Sequence, residues 1–174
     1  TVLVADSVAK GSVIALTNQG KDRKVLLSNL ARPFGLALYQ GFLYVSEDEA
    51  IQRYRFNPAT LEIGAAEKVV ALAGYNKAHW TRSIAFDEKA NKMYVSIGSG
   101  SNVDAGDPKD RAAVNVYNPD GSGHEVFASG LRNPVAIHFH PTTKKLWATV
   151  QERDGLGDDL VPDFFTEVKQ GAFY

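Results

Sequence analysis

His79 stands in the run AHWTRSIAF, just ahead of a short apolar strand. An imidazole titrates near neutral pH, so at the head of an inner strand it suits a general base. The alternative is a surface histidine beside Trp80. Arg132-Asn133-Pro134 lies at the head of another strand. A guanidinium offers a planar fork to carboxylates or a developing oxyanion. Asn133 either holds a ligand through its amide or starts the turn before Pro134. Beyond Gln151 comes a Gly-bearing loop with Glu152, Asp154, Asp158, Asp159 and Asp163. Such hard oxygen ligands suit Ca²⁺, although the spacing is not that of an EF-hand and a solvated loop has the same composition. His138 and His140 share a strand face without a third ligand spaced near them, and read as structural. His124, in an Asp-Gly-Ser-Gly turn, reads as exposed and inert. No G-x-S-x-G elbow, P-loop or zinc-binding helix motif occurs.

The elements that must position these residues repeat. RPFGLAL from Arg32, RSIAFDE from Arg82 and RNPVAIHF from Arg132 begin fifty positions apart each time. Each leads through a turn to a second strand: FLYVSE, KMYVSIG and KLWATVQ, with an aromatic at Tyr44, Tyr94 and Trp147. Third strands follow from Ile51 and Ala113, ending in Asn57-Pro58 and Asn118-Pro119-Asp120-Gly121, strong turn signals. Fourth strands (KVLLSNL, KVVALAG, EVFASGL) precede the three arginines. Short strands in units of roughly 40–50 residues point to β-propeller blades, with a sandwich as the competing all-β fold. A sandwich does not account for an arginine at the head of every unit. The recurrent arginines suit either a cationic ring around a channel or ties between loop carbonyls.

Blades are expected at about 24–58 and 67–119. The last strands of an earlier blade fall at 1–16, and another blade begins near Glu125. Residues 1–174 thus read as one partial propeller domain of about three blades and pieces, cut from something longer. The remaining blades would be missing or in another chain, since an open arc leaves strand edges bare. The loops 98–111 and 152–164 exceed what hairpins need, so they are candidates for function. A net charge of −1 points to neither nucleic acid nor an acidic membrane as partner. The sequence has no apolar run of spanning length. It has no cysteine, which excludes disulfides and thiolate metal sites.

At these residues the sequence resembles the soluble sugar dehydrogenases that use pyrroloquinoline quinone (PQQ), the glucose/sorbosone dehydrogenase group. The resemblance rests on HWTRSIAFDEKANKMYVSIGS, on RAAVNVYNPDGSGHEVFASGLRNPVAIHFHPTTKKLW and on ERDGLGDDL followed by the terminal GAFY. It covers nearly the whole chain but about the first half of such an enzyme, with the sorbosone or pyranose branch looking nearer. It implies a six-bladed propeller with PQQ and Ca²⁺ at the channel mouth, a sugar substrate, an external electron acceptor and a periplasmic or extracellular location. His79 would take the sugar hydroxyl proton as hydride passes to PQQ. Arg132 would stabilise the developing oxyanion, Asn133 would bind the quinone, and Gln151 would lie close to it. Backbone carbonyls near Glu152 and Arg153 would hold Ca²⁺.

Two departures stand out. Ser101 and Asp104 lie near the positions where sorbosone-type relatives carry a cysteine pair, which removes a staple. Basic residues that the family draws from later blades are absent, so this chain alone is expected to bind PQQ poorly and not turn over. The rival readings are a calcium-dependent lactonase-like hydrolase and a non-catalytic propeller that binds protein or glycan. Arginine rather than carboxylate at the blade starts argues against the first.

Overall fold

The computed structural model describes residues 1–76, 78–104 and 106–174. The described residues form fourteen strands and one short 3-10 turn, with no α-helix among them. The chain divides into two units, Thr1–Ala73 and Gly74–Tyr174.

In the first unit, β1 (Val2–Asp6), β2 (Gly11–Thr17) and β3 (Asp22–Leu30) form one antiparallel sheet in that order. The strands β4 (Leu36–Tyr39), β5 (Phe42–Ser46), β6 (Ala50–Asn57) and β7 (Glu62–Ala71) form another. Gln40 and Gly41 have φ of 47° and 77°, which lets a two-residue turn join β4 to β5 with Tyr39 opposite Phe42. The Asn57 carboxamide accepts the amides of Ala59 and Thr60, closing the turn after β6. Leu43, Val45, Tyr54 and Phe56 are buried with Val13 and Leu30 in this unit's core.

In the second unit, β8 (Ile84–Asp87), β9 (Lys92–Ile97), β10 (Ala113–Tyr117) and β11 (Glu125–Ser129) form a four-stranded meander. The strands β12 (Asn133–Phe139), β13 (Leu146–Gln151) and β14 (Phe164–Glu167) form a three-stranded one. Alternation along β13 is clean, with Leu146, Ala148 and Val150 buried and Thr149 and Gln151 exposed. The buried set packs with Tyr94, Val114, Ile137 and Leu131. Tyr94 meets Phe127 and Phe139 edge-on at 5.0 and 5.2 Å.

The sheet boundaries differ from the sequence reading. The strand before each arginine closes the sheet behind it and does not open the next one: β3 pairs with β2, β7 with β6 and β11 with β10. A hairpin return is the shorter connection, so an antiparallel strand stays beside its predecessor. The first sheet accordingly extends to Leu30 and does not stop near Leu16. Asn133 is also strand rather than turn, lying opposite Gln151, and a bulge between Pro134 and Ala136 absorbs the proline.

Candidate functional site

The second unit gathers most of the singled-out residues around one glycine. His79 is half-buried in the connection from β7 to β8. Gly98 directly follows β9, and a methyl group there would lie 2.5 Å from His79 Cβ and 2.7 Å from Asn133 Oδ1. Only a residue without Cβ lets the three pack together. Replacing Gly98 by alanine must therefore push His79 or Asn133 aside by about 1 Å, since carbon atoms rest near 3.5 Å apart. In the intact protein we expect Gly98→Ala to lower kcat about 100-fold with the strands intact by circular dichroism. An unchanged kcat contradicts this packing role.

Arg82 holds the His79 segment from behind. It is fully buried, and its Nη1 donates to the carbonyls of His79 at 2.6 Å and Thr81 at 2.8 Å, while Nη2 donates to Tyr75. This is the tie between loop carbonyls, not a cation presented to a ligand. Arg82→Met leaves three part-buried carbonyls short of a donor, at about 1 kcal/mol or more each. The denaturation midpoint should fall by the equivalent of about 3 kcal/mol or more, and a midpoint equal to wild type contradicts the tie. Arg32, in the first unit, heads β4 with φ of 50°.

Arg132 occupies a different setting. Its Nε donates to the Asn102 carbonyl (2.9 Å) and its Nη1 to the Gln151 carbonyl (3.1 Å). Its Nη2 donates to Asn102 Oδ1 (2.6 Å) and Asp154 Oδ2 (3.0 Å). A guanidinium has five N–H groups, so among the described residues one on Nη1 has no acceptor. Asn102 completes the clasp. Its Nδ2 donates to the Asp154 carbonyl at 3.0 Å, and its Oδ1 accepts the Asp154 amide at 2.9 Å. Loops 98–111 and 152–163 are thereby tied together at Arg132. Beside them opens a cleft of about 550 Å³ lined in part by Ser99, Asn102, Asp107 and Arg132; His79 does not line it.

Asn133 is buried and donates to Gln151 Oε1 at 3.0 Å, while its Oδ1 has no partner among the described residues. Glu152 donates its amide to Asp163 at 2.9 Å. Partial burial lifts its carboxyl above the usual range; Arg132 opposes the lift and Asp163 adds to it. Arg153 is exposed. Burial is likewise the main influence on His79, holding it below 6.5. The Arg132 and Arg111 charges push the same way, against the Ser99 hydrogen bond and Asp154.

Residues 2–162 match the family described as TrAA12-like. The chain belongs to that family. It is 32% identical over 167 residues to an uncharacterized protein of Borreliella burgdorferi, covering 86% of this chain and 43% of that protein. It is similar in structure to a Trichoderma reesei carbohydrate-active enzyme of family AA12, with a TM-score of 0.75 at 21% identity, covering 97% of this chain and 49% of that one. It is also similar to the holo form of the pyranose dehydrogenase PQQ domain from Coprinopsis cinerea, with a TM-score of 0.75 at 19% identity, covering 97% and 48%. At such identities the likeness concerns the fold, an all-β assembly of propeller-type sheets. The chain spans about half the length of these relatives.

The remaining histidines take no part in the contacts above. His140 Nδ1 accepts the amides of Thr142 and Thr143 in the turn after β12. His138 is exposed. His124 is exposed too; its Nε2 meets Asn115 Oδ1 at 2.8 Å and its ring stacks on Tyr117 at 4.6 Å. Sequence reasoning singled out the 98–111 loop as a whole but missed Ser99, Asn102 and Arg111 within it. Its length was the one available signal.

Proposed function

We propose that the intact protein is a PQQ- and Ca²⁺-dependent dehydrogenase that oxidises a hydroxyl of an aldose or pyranose sugar. The observation that carries this reading is the joining of His79, Asn133 and Gly98 at one point, beside the Arg132 clasp. Membership of the TrAA12-like family and likeness to a PQQ domain support it.

The chain's donors fit these groups. PQQ is a planar, polycarboxylate quinone whose oxygens accept hydrogen bonds, and among the described residues it meets here one unspent Arg132 N–H and the second Nδ2 hydrogen of Asn133, whose buried Oδ1 stays an unmatched acceptor. Among the described residues the carbonyls of Glu152 and Arg153 accept no hydrogen bond, and carboxylates at 152, 154 and 163 surround them in sequence. Hard oxygens of this kind suit Ca²⁺. When bound, PQQ supplies the two-electron acceptor for a hydride and Ca²⁺ the Lewis acid.

The chain's residues would do the rest. His79 accepts the sugar hydroxyl proton at Nε2, because Nδ1 is engaged at Ser99. Arg132 donates its remaining N–H to an anionic ligand oxygen. Asn133 and Gln151 form one hydrogen-bonded edge of the site.

We further infer that more blades complete a six-bladed ring, in this polypeptide or in a companion chain. Trp147 matches Tyr94 in the repeat, and Tyr94 is covered by two aromatic rings. Among the described residues Trp147 stacks only on Phe165, itself 66% exposed. A neighbouring sheet would supply the missing cover. Among the described residues no helix is long and apolar enough to cross a membrane. The resemblance favours a periplasmic or extracellular site of action with an external electron acceptor.

Sugar-dependent dye reduction, with and without PQQ and Ca²⁺, tests the reading. Reduction that requires both supports it. Lactone hydrolysis without PQQ favours the calcium hydrolase instead, and inactivity in both assays favours a non-catalytic binding module.

A further inference from the structure

We propose that Arg111 is the positioning residue of His79: it fixes the Ser99 carbonyl as the acceptor of the His79 Nδ1 proton, leaving Nε2 as the basic nitrogen. His79 Nδ1 lies 3.0 Å from the Ser99 carbonyl oxygen and 3.0 Å from Ser99 Oγ. A carbonyl cannot donate. Ser99 Oγ spends its one proton on the Ser101 carbonyl at 2.7 Å, so toward His79 it too can only accept. Nδ1 must then carry the hydrogen. The other nitrogen keeps its lone pair, as a general base requires.

Arg111 holds this acceptor in place. It is buried, and its Nη2 donates to the same Ser99 carbonyl at 2.8 Å while its Nε donates to the Gly98 carbonyl at 3.0 Å. A carbonyl has two lone pairs, and here one faces Arg111 and the other His79. The guanidinium in turn lies 5.0 Å over the Tyr75 ring, whose hydroxyl donates to both carboxylate oxygens of Asp110. Asp107 accepts the Gly100 amide at 2.8 Å and fixes the loop from its other side. The acceptor behind His79 is thus a carbonyl backed by a cation. A carboxylate in that place would stabilise the imidazolium; Arg111 opposes it. The other charges acting on His79 are Arg132 and Asp154, with Arg82 on its backbone carbonyl.

The consequence for catalysis rests on the dehydrogenase reading, but the tautomer does not. Nitrogen-15 spectra of histidine-labelled intact protein, recorded without PQQ, read the tautomer directly. The His79 signals are identified by their loss in His79→Gln. Wild type should show a protonated Nδ1 and an unprotonated Nε2 at neutral pH. In Arg111→Gln the two tautomers should mix, and His79 should titrate at higher pH than in wild type. A protonated Nε2 in wild type overturns the proposal, as does an Arg111→Gln spectrum and titration identical to wild type. Should that variant not fold, Arg111→Lys replaces it. Lysine reaches one carbonyl and not two, so a wild-type tautomer ratio there also overturns the assignment. A locked tautomer in a protein that never oxidises a sugar would leave this inference standing and remove the dehydrogenase reading alone.

Discussion

His79→Gln in the intact, reconstituted protein lowers kcat by about 10²–10⁴, the usual contribution of a positioned base. PQQ affinity stays near wild type, because the cofactor contacts proposed above fall on Arg132, Asn133 and Gln151. The pH profile carries the sharper test. Burial first, then the charges of Arg132 and Arg111, disfavour the imidazolium and hold His79 below 6.5. The base form therefore persists into mildly acid solution. The acid limb of kcat/KM in wild type should lie at lower pH than the titration of an ordinary histidine. In His79→Gln that acid limb disappears. Retained kcat, or an unchanged limb in the variant, rules out His79 as the base.

Arg132→Ala removes four hydrogen bonds that converge on Asn102, Gln151 and Asp154. The expected result is a fall in kcat of about 10²–10³ together with weaker PQQ binding. The ion pair to Asp154 is not the reason, since that carboxylate is 83% exposed and such pairs are worth little. What is lost is the fork that ties the two loops and presents one directed N–H. Arg132→Lys keeps the charge without the fork, so it should recover only part of the affinity. A PQQ titration alongside steady-state rates separates the effects. Wild-type affinity and kcat in Arg132→Ala contradict the role.

The strand repeat was legible because it depends on local pattern. Apolar alternation, turn residues and an arginine every fifty positions are all written along the chain, and they yield an all-β propeller-type fold. Sheet boundaries were less so, since pairing a strand backward or forward buries the same apolar face. The three arginines show the same limit more sharply. They are equivalent in sequence, yet Arg82 is sealed against carbonyls of its own loop while Arg132 bridges two loops. Which carbonyls surround a guanidinium is decided by loop paths, and spacing does not encode these. Arg111 was harder still. It lies outside the repeat, in a loop longer than a hairpin needs, and its importance comes from sharing one carbonyl with His79. His79 and Asn133 stood out by residue type at the heads of strands, and the resemblance supplied their expected roles. Their meeting at Gly98 emerged only when a missing Cβ was seen to make room for both.

The central claim is that this protein takes up PQQ with Ca²⁺ at the Arg132–Asn133 corner. Native mass spectrometry of the intact protein, before and after adding PQQ and Ca²⁺, tests it most directly. The account predicts a mass increase of one PQQ with bound calcium in wild type and in His79→Gln, and a much reduced increase in Arg132→Ala. A wild-type mass that ignores PQQ and Ca²⁺ would contradict it, leaving the fold and removing the basis for the redox chemistry.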